Sequence, residues 1–306
     1  MELGIGLPQA GKLALPQNIV QIAQEAERLG YASVWVHEHL MRPTWPIPGV
    51  LGGEPQMQSE LYASVYDPLE TLAYVAAHTK RVKLGTSVVN ALFHPPLILA
   101  RRFATLDQLS GGRVIAGLGQ GWMEQEFIAV NVPKQRRGRG MEEYVQVLRA
   151  IWGPDPVCFN GRFYTIPEAQ VGPKPVRPTG IPLILGGFVP AAIERAARIA
   201  DGITPGNFPW PLLEQSLQLF RNTAREAGRD PDKLQIIIRV VQAPAREGSA
   251  GDERQPLIGT IEEIAEDIVR MQALGVDHII FDLSLNETPI PQQLRFLEQL
   301  RAAVTV

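Results

Sequence analysis

The sequence predicts an α/β protein folded as a single (β/α)8 TIM barrel, and three observations carry that prediction. Short apolar, β-branched runs alternate with amphipathic helical stretches from one end of the 306-residue chain to the other. The alternation occurs eight times, the number that closes a right-handed parallel barrel. No boundary divides the chain in two, so residues 1–306 read as one domain with loop insertions at about 41–66 and 153–180. A doubly wound open sheet is the rival architecture, and it would not need eight units.

The elements follow in order. Residues 2–8 (ELGIGLP) open as the first strand. The helix over 16–30 aligns Ile19, Ile22, Ala23, Ala26 and Leu29 on one stripe, with Pro16 near its start and Gly30 as its stop. The second strand is 32–39 (ASVWVHEH), and the Pro- and Gly-rich stretch 41–66 reads as a loop. Asp67 as N-cap and Pro68 at the first helical position begin a helix over 67–79. The third strand is 81–90 (RVKLGTSVVN), its helix 95–112 ends at glycine, and the fourth strand is 113–119 (RVIAGLG). A helix over 140–153 precedes a small hairpin at 156–166, turning at Asn160-Gly161. Strands at 181–187, 202–207, 234–242 and 278–284 alternate with helices at 190–202, 209–228, 260–274 and 290–304.

Composition narrows the function. Hydrophobic content of 45% and charged content of 20% are those of a soluble globular protein. A net charge of −3 gives no sign of a nucleic-acid partner, and the basic run 136–140 (RRGRG) is too short to change that. The single cysteine, Cys158, excludes an intrachain disulfide framework and a cysteine-based zinc site. Residues 1–15 read as strand and loop rather than signal peptide, and no run of ~18 apolar residues would span a membrane. The expectation is a cytoplasmic protein.

Ligands of such a barrel bind where the strands end. There the fourth strand runs into GLGQGWMEQEF, with Gly117, Gly119 and Gly121 at alternate positions on one face. A strand gives up that much packing only where another backbone or a ligand comes close. His37 and His39 of HEH share a face and suggest a metal pair, but further ligands are sparse. His78 lies in a helix, His278 at the wrong end of its strand, and Asp282 is the main carboxylate. No metal is therefore expected. His37 reads as a hydrogen-bonded rim residue, and His39 as a ligand contact or proton donor. A dinucleotide fingerprint needs glycine where Trp122 stands, and neither a P-loop nor a G-x-S-x-G elbow is present. The glycines do suit a flat ring system. Gly186, Gly187 and Phe188, just ahead of the helix at Pro190, either cradle its phosphate or form a tight βα turn.

Three blocks, 81–127, 136–166 and 172–187, occur in an order and spacing that resemble the luciferase-like flavin/deazaflavin oxidoreductases, most closely their branch using coenzyme F420, an 8-hydroxy-5-deazaflavin. The resemblance covers the whole chain. It implies a hydride-transferring enzyme with F420, or alternatively FMN, across the barrel mouth. It implies a non-prolyl cis peptide at Ser87-Val88, with Thr86, Ser87 and Val88 behind the ring. It implies His39 as proton donor or cofactor anchor, Asn90 and Gln120 at the ring edges, and Gly119, Gly121, Trp122, Gly186, Gly187 and Phe188 around the ring and phosphate. Arg137 is a secondary phosphate candidate.

Similar sugar-phosphate dehydrogenases use a Glu just after the fourth strand. Gly121-Trp122 stands there, with Glu124 further on, and Trp45 matches the family aromatic only loosely. Basic residues for a substrate phosphate are not evident, and Arg239 reads as paired within the barrel. An apolar set (Met41, Trp45, Leu51, Met57, Tyr62, Trp122, Phe127, Trp210) points to a small hydrophobic substrate. The principal reading is an F420-dependent oxidoreductase. The alternatives are an FMN-dependent monooxygenase using FMNH2 and O2, a metal-dependent barrel hydrolase, and a cofactor-binding protein without turnover. The resemblance also implies a homodimer through the helices at 67–79 and 95–112.

Overall fold

Eight parallel strands close on themselves in the computed structural model, which describes residues 1–50, 52–241 and 254–304. They are β1 (Glu2–Gly6), β2 (Ser33–Val36), β3 (Lys83–Thr86), β4 (Val114–Gly119), β5 (Leu183–Gly186), β6 (Gly202–Thr204), β7 (Gln235–Val240) and β8 (His278–Phe281). Each pairs with the next in sequence, in registers such as Gly4↔Ser33 and Leu84↔Val114. β8 returns to β1 through Glu2↔His278 and closes the ring.

The strands are apolar on both faces because both are covered. Trp35, Ile115, Ile184, Ile237 and Ile280 fill the barrel interior. Their outward-facing neighbours, such as Val34, Leu84, Val114, Ile236 and Phe281, belong to the larger core beneath the helices. Trp35 takes the room of several side chains. A Cβ on Gly85 would lie 2.3 Å from its ring, and one on Gly4 2.7 Å from its Nε1. Below Trp35 a polar chain closes the N-terminal end. Trp35 Nε1 donates to Ser33 Oγ (2.5 Å), which meets His278 Nε2 (2.7 Å), and His278 Nδ1 lies 3.3 Å from Glu2. The His278 bond, helped by Lys83, holds the Glu2 carboxyl down at about 2 despite partial burial.

The outer helices are α1 (Pro16–Leu29), α2 (Pro68–His78), α3 (Pro96–Ser110), α4 (Arg139–Trp152), α5 (Pro190–Ile199), α6 (Trp210–Glu226), α7 (Ile261–Ala273) and α8 (Ile290–Ala303). α1 buries Ile19, Ile22, Ala23 and Ala26 and ends at Gly30, whose φ of 81° only glycine adopts easily. Asp67 caps α2 by accepting the Leu69 N–H, and Thr260 and Glu263 form a reciprocal capping box on α7. No described helix is long and apolar enough to cross a membrane.

The departures from the sequence expectation cluster at the barrel mouth. β2 stops at Val36 rather than 39, because the Gln9 side chain, not a strand, takes both the N–H and the carbonyl of His37. The third strand breaks after Thr86 at a cis Ser87-Val88 peptide, then resumes as Val89–Asn90 beside Leu118 and Gly119. The 41–66 stretch contains a hairpin, Ile47–Gly49 with Gly52–Gln56, flanking Leu51, which lies outside the described residues. Gln242, the last residue of the predicted seventh strand, also lies outside them. The second hairpin pairs Val157–Asn160 with Thr165–Ala169, so its loop is 161–164 rather than a two-residue turn. Glu143 on α4 sets that shape by accepting the N–H groups of Arg162, Phe163 and Tyr164. A short helix, Glu124–Ala129, follows β4 where none was predicted.

Candidate active site

The C-terminal mouth of the barrel holds a cleft of about 490 Å³. Of the residues expected from sequence, His39, Ser87, Val88, Asn90, Gly119, Gln120, Gly121, Trp122, Arg137, Gly186, Gly187 and Phe188 line it. Thr86 does not. It is fully buried, with its hydroxyl donating to the Gly117 carbonyl and accepting the Gly117 N–H. His37, Glu38, Tyr62, Thr204 and Arg239 also line it, beside apolar residues such as Val50, Val189, Val241 and Leu285.

The glycine run answers first to the neighbouring chain. A Cβ on Gly117 would lie 1.7 Å from the Thr86 carbonyl oxygen, and one on Gly119 2.5 Å from Val88 Cγ2. Gly121 has φ of 75°, and a Cβ there would lie 2.6 Å from the Phe93 ring. These glycines let β4 lie against the broken third strand, and the cleft inherits a side-chain-free wall at Gly119 and Gly121. At the opposite wall Gly187 packs on Ala192, and its N–H donates to the Thr204 carbonyl. A phosphate cradle here therefore cannot use the Gly187 N–H.

The two histidines meet different partners. His37 Nδ1 lies 3.3 Å from Arg239 Nη2, and Arg239 also donates to Asp282 (2.5 Å) and to the Ser87 carbonyl. Asp282 fits above side-chain-free Gly6 and accepts from the Ser284 N–H and hydroxyl. Burial works against its charge, but Arg239 beside it prevails and holds its carboxyl below the usual range. Burial, reinforced by Arg239, pushes His37 down to about 3. His39 Nδ1 lies 3.2 Å from Glu126 Oε1, and Tyr62 stacks on its ring at 3.8 Å. Among the described residues no group of three His, Cys, Asp or Glu is placed to hold a metal ion.

Two carboxylates that sequence reasoning passed over anchor this floor. Glu126, fully buried on the short helix, takes the Leu40 N–H (2.8 Å) as well as His39. Glu124, the acid singled out from sequence, is exposed and paired with Lys134. Glu38 accepts the Asn90 N–H (2.7 Å) and lies 2.8 Å from His94 Nε2. The signal for Glu126 was its place in the acid cluster, MEQEF, that follows the glycine run. The signal for Glu38 was its place inside HEH.

Arg137 is half-buried, and its Nε and Nη2 are buried without a partner among the described residues; its guanidinium sits 4.9 Å over Phe127, and burial lowers its proton affinity. Gln120 holds the adjoining chain, its Oε1 accepting the Gly138 N–H at 2.6 Å. That role differs from the expected contact with a ring edge. Buried guanidinium N–H groups without a partner suit an anion. With the glycine walls beside it, the site suits a flat, phosphate-bearing ring.

Of the apolar set, Tyr62 and Trp122 reach the cleft. Trp45 and Met57 are 53% and 47% exposed. Phe127 is buried against Phe93, Trp210 lies beneath Arg270 on α6, and Met41 does not line the cleft. The walls mix His, Glu, Asn, Gln and Arg with a different apolar set that includes Val50, Val88, Phe188, Val189, Val241 and Leu285.

Comparison with known proteins gives a consistent picture. The family model for luciferase-like monooxygenases matches residues 5–250. An F420-dependent glucose-6-phosphate dehydrogenase of Nakamurella multipartita is 31% identical over 230 residues, 74% of this chain and 63% of that one. An F420-dependent secondary alcohol dehydrogenase, solved with an F420–acetone adduct, superposes with a TM-score of 0.80 at 21% identity, covering 100% of this chain and 99% of that one. The monooxygenase RslO1 of Streptomyces bottropensis gives 0.79 at 22% identity, covering 99% and 98%. At those identities the two structures speak to the fold alone.

Proposed function

We propose, for a chain that belongs to the luciferase-like monooxygenase family, that the cleft binds coenzyme F420 and serves hydride transfer to or from a small organic substrate. The observation that carries this reading is Arg137, a half-buried cation whose buried Nε and Nη2 have no partner among the described residues, at the edge of a glycine-walled cleft. The choice of F420 over FMN is supported by the relative named an F420-dependent glucose-6-phosphate dehydrogenase. That name also makes a sugar phosphate the first substrate to test. The apolar substrate expected from sequence has less support from these relatives, although Val50, Phe188, Val189, Val241 and Leu285 do give the cleft apolar walls.

The bound deazaflavin would supply a two-electron hydride donor or acceptor. The chain supplies position and proton handling. Arg137, with the backbone around Gly186 and Phe188, binds the phosphate, and Gln120 fixes the segment that carries Arg137. Gly119, Gly121 and Val88 give the ring a flat seat. Glu126 orients His39, whose Nε2 takes the substrate proton or returns it. The hairpin at 47–56 and Tyr62 cover the mouth. The same reading makes the molecule a homodimer through α2 and α3, which expose Tyr74, Ile98 and Leu109.

An FMN-dependent monooxygenase is the second reading, favoured by the family model. Titration of the purified protein with F420 and with FMN, followed by Trp122 fluorescence, separates them. Binding of F420, with glucose 6-phosphate-dependent reduction and no oxygen uptake, is the expected result. Binding of FMN alone with rapid oxygen consumption would replace it, and binding of neither ring would end it.

A further inference from the structure

Two histidines on one face of the cleft floor meet partners of opposite hydrogen-bonding character. His37 Nδ1 faces Arg239, and a guanidinium can only donate. Nδ1 must therefore accept, and the ring proton sits on Nε2, which is buried and has no partner. His39 Nδ1 faces Glu126 Oε1, which already takes the Leu40 N–H. A carboxylate can only accept, so the neutral ring carries its proton on Nδ1 and its Nε2 is a bare lone pair. The two rings are 6.3 Å apart between centroids and steeply inclined.

We propose that His37, held by Arg239 in the tautomer opposite to that of His39, is a second hydrogen-bond donor to the substrate oxygen that His39 serves. The oxygen accepts from His37 Nε2–H and donates to His39 Nε2. On oxidation the O–H proton passes to His39 Nε2. An oxidised deazaflavin, when bound, would supply the two-electron acceptor, so that the C–H electron pair would leave as hydride while C=O forms. His37 keeps its proton throughout and stays bonded to the oxygen. The role of the substrate oxygen rests on the proposed function. The tautomers do not.

His37 is well fixed for this task. Gln9 clamps its backbone on both sides, and Asp282 and the Ser87 carbonyl hold Arg239. The titratable and charged groups facing it are Arg239, Asp282 and His39; burial and Arg239 keep the ring neutral against the opposing charge of Asp282. A cationic His37 would have two donors and no place for the Arg239 N–H. Its Nε2 and the partnerless Oε2 of Glu126 are the unsatisfied polar atoms on either side of His39 among the described residues.

Nitrogen-15 spectra of the ligand-free protein, labelled at histidine, test the tautomers between pH 5 and 8. The expected result is a neutral Nε2–H ring for His37 that does not titrate, and the Nδ1–H tautomer for neutral His39. Matching tautomers, or a His37 that titrates in this range, would overturn the proposal. In the ring-loaded protein, 2-propanol as a minimal alcohol should shift both Nε2 resonances. His37→Phe should abolish the His39 shift, and His37→Gln, which restores an N–H at similar reach, should recover it. A His39 shift that persists unchanged in His37→Phe would refute the pair. A protein that takes up neither ring would sink the proposed function instead, and the ligand-free spectra would still decide the tautomers.

Discussion

Acid should destabilise this protein through His37, and the size of the effect follows from its surroundings. Folded, His37 is pushed down to about 3 by burial and by Arg239. Unfolded, it returns to an ordinary value of about 6.5. Below about pH 6.5 the unfolded chain therefore takes up a proton that the folded chain refuses until about pH 3. Stability is lost as pH falls through 6.5 and the loss levels off near 3. Between pH 7.5 and 5 this one ring should remove about 2 kcal/mol. Urea unfolding at both pH values measures the total loss, to which other groups contribute. The comparison with His37→Asn isolates the ring, because Asn does not titrate and keeps an acceptor near the position of Nδ1. The acid loss in the variant should be smaller than in the natural protein by about 2 kcal/mol. Equal losses in the two proteins would mean that His37 titrates normally in the fold, and the argument from Arg239 would fail.

Other consequences can be checked separately. Arg137→Met should weaken F420 binding by ~10- to 150-fold, from the 1.5–3 kcal/mol of a charged hydrogen bond. It should leave binding of the phosphate-free 8-hydroxy-5-deazariboflavin core unchanged, and parallel losses in fluorescence titrations would contradict the phosphate role. Gly117→Ala places a Cβ 1.7 Å from a backbone carbonyl that cannot rotate away. It should cost more than about 3 kcal/mol or prevent soluble expression, whereas an ordinary melting temperature would show that β4 has slack. Asp282→Asn strips the buried counter-charge from Arg239. A loss of about 3–5 kcal/mol in denaturant unfolding is expected, and an unaffected protein would show the pair to be dispensable.

The barrel was legible because burial on both faces of a parallel strand leaves unbroken apolar runs, as in HIIF of β8 and QIIIRV of β7. Helix limits were legible where chemistry marks them, at Asp67-Pro68 and at Gly30. The mouth was legible only in part. The floor depends on partners far apart in sequence, and spacing carries no trace of them. Glu126 meets His39 across 87 positions, and Arg239 meets His37 across 202. The end of β2 was misplaced because the competing group is the Gln9 side chain, which no strand pattern reveals. The glycines of β4 were noticed at once, yet their immediate cause is the Thr86 carbonyl and Val88 rather than a ligand.

That last point bears on any attempt to redesign the molecule. Because Gly117 and Gly119 are shaped around Thr86 and Val88, and Thr86 bonds Gly117 through both backbone groups, the two segments behave as a mortise and tenon. A floor transplanted to another barrel would have to travel as one cassette, residues 83–90 together with 114–122. Library diversity introduced on one side alone would be spent mostly on misfits, whereas paired libraries would vary the seat of the ring while keeping the joint closed.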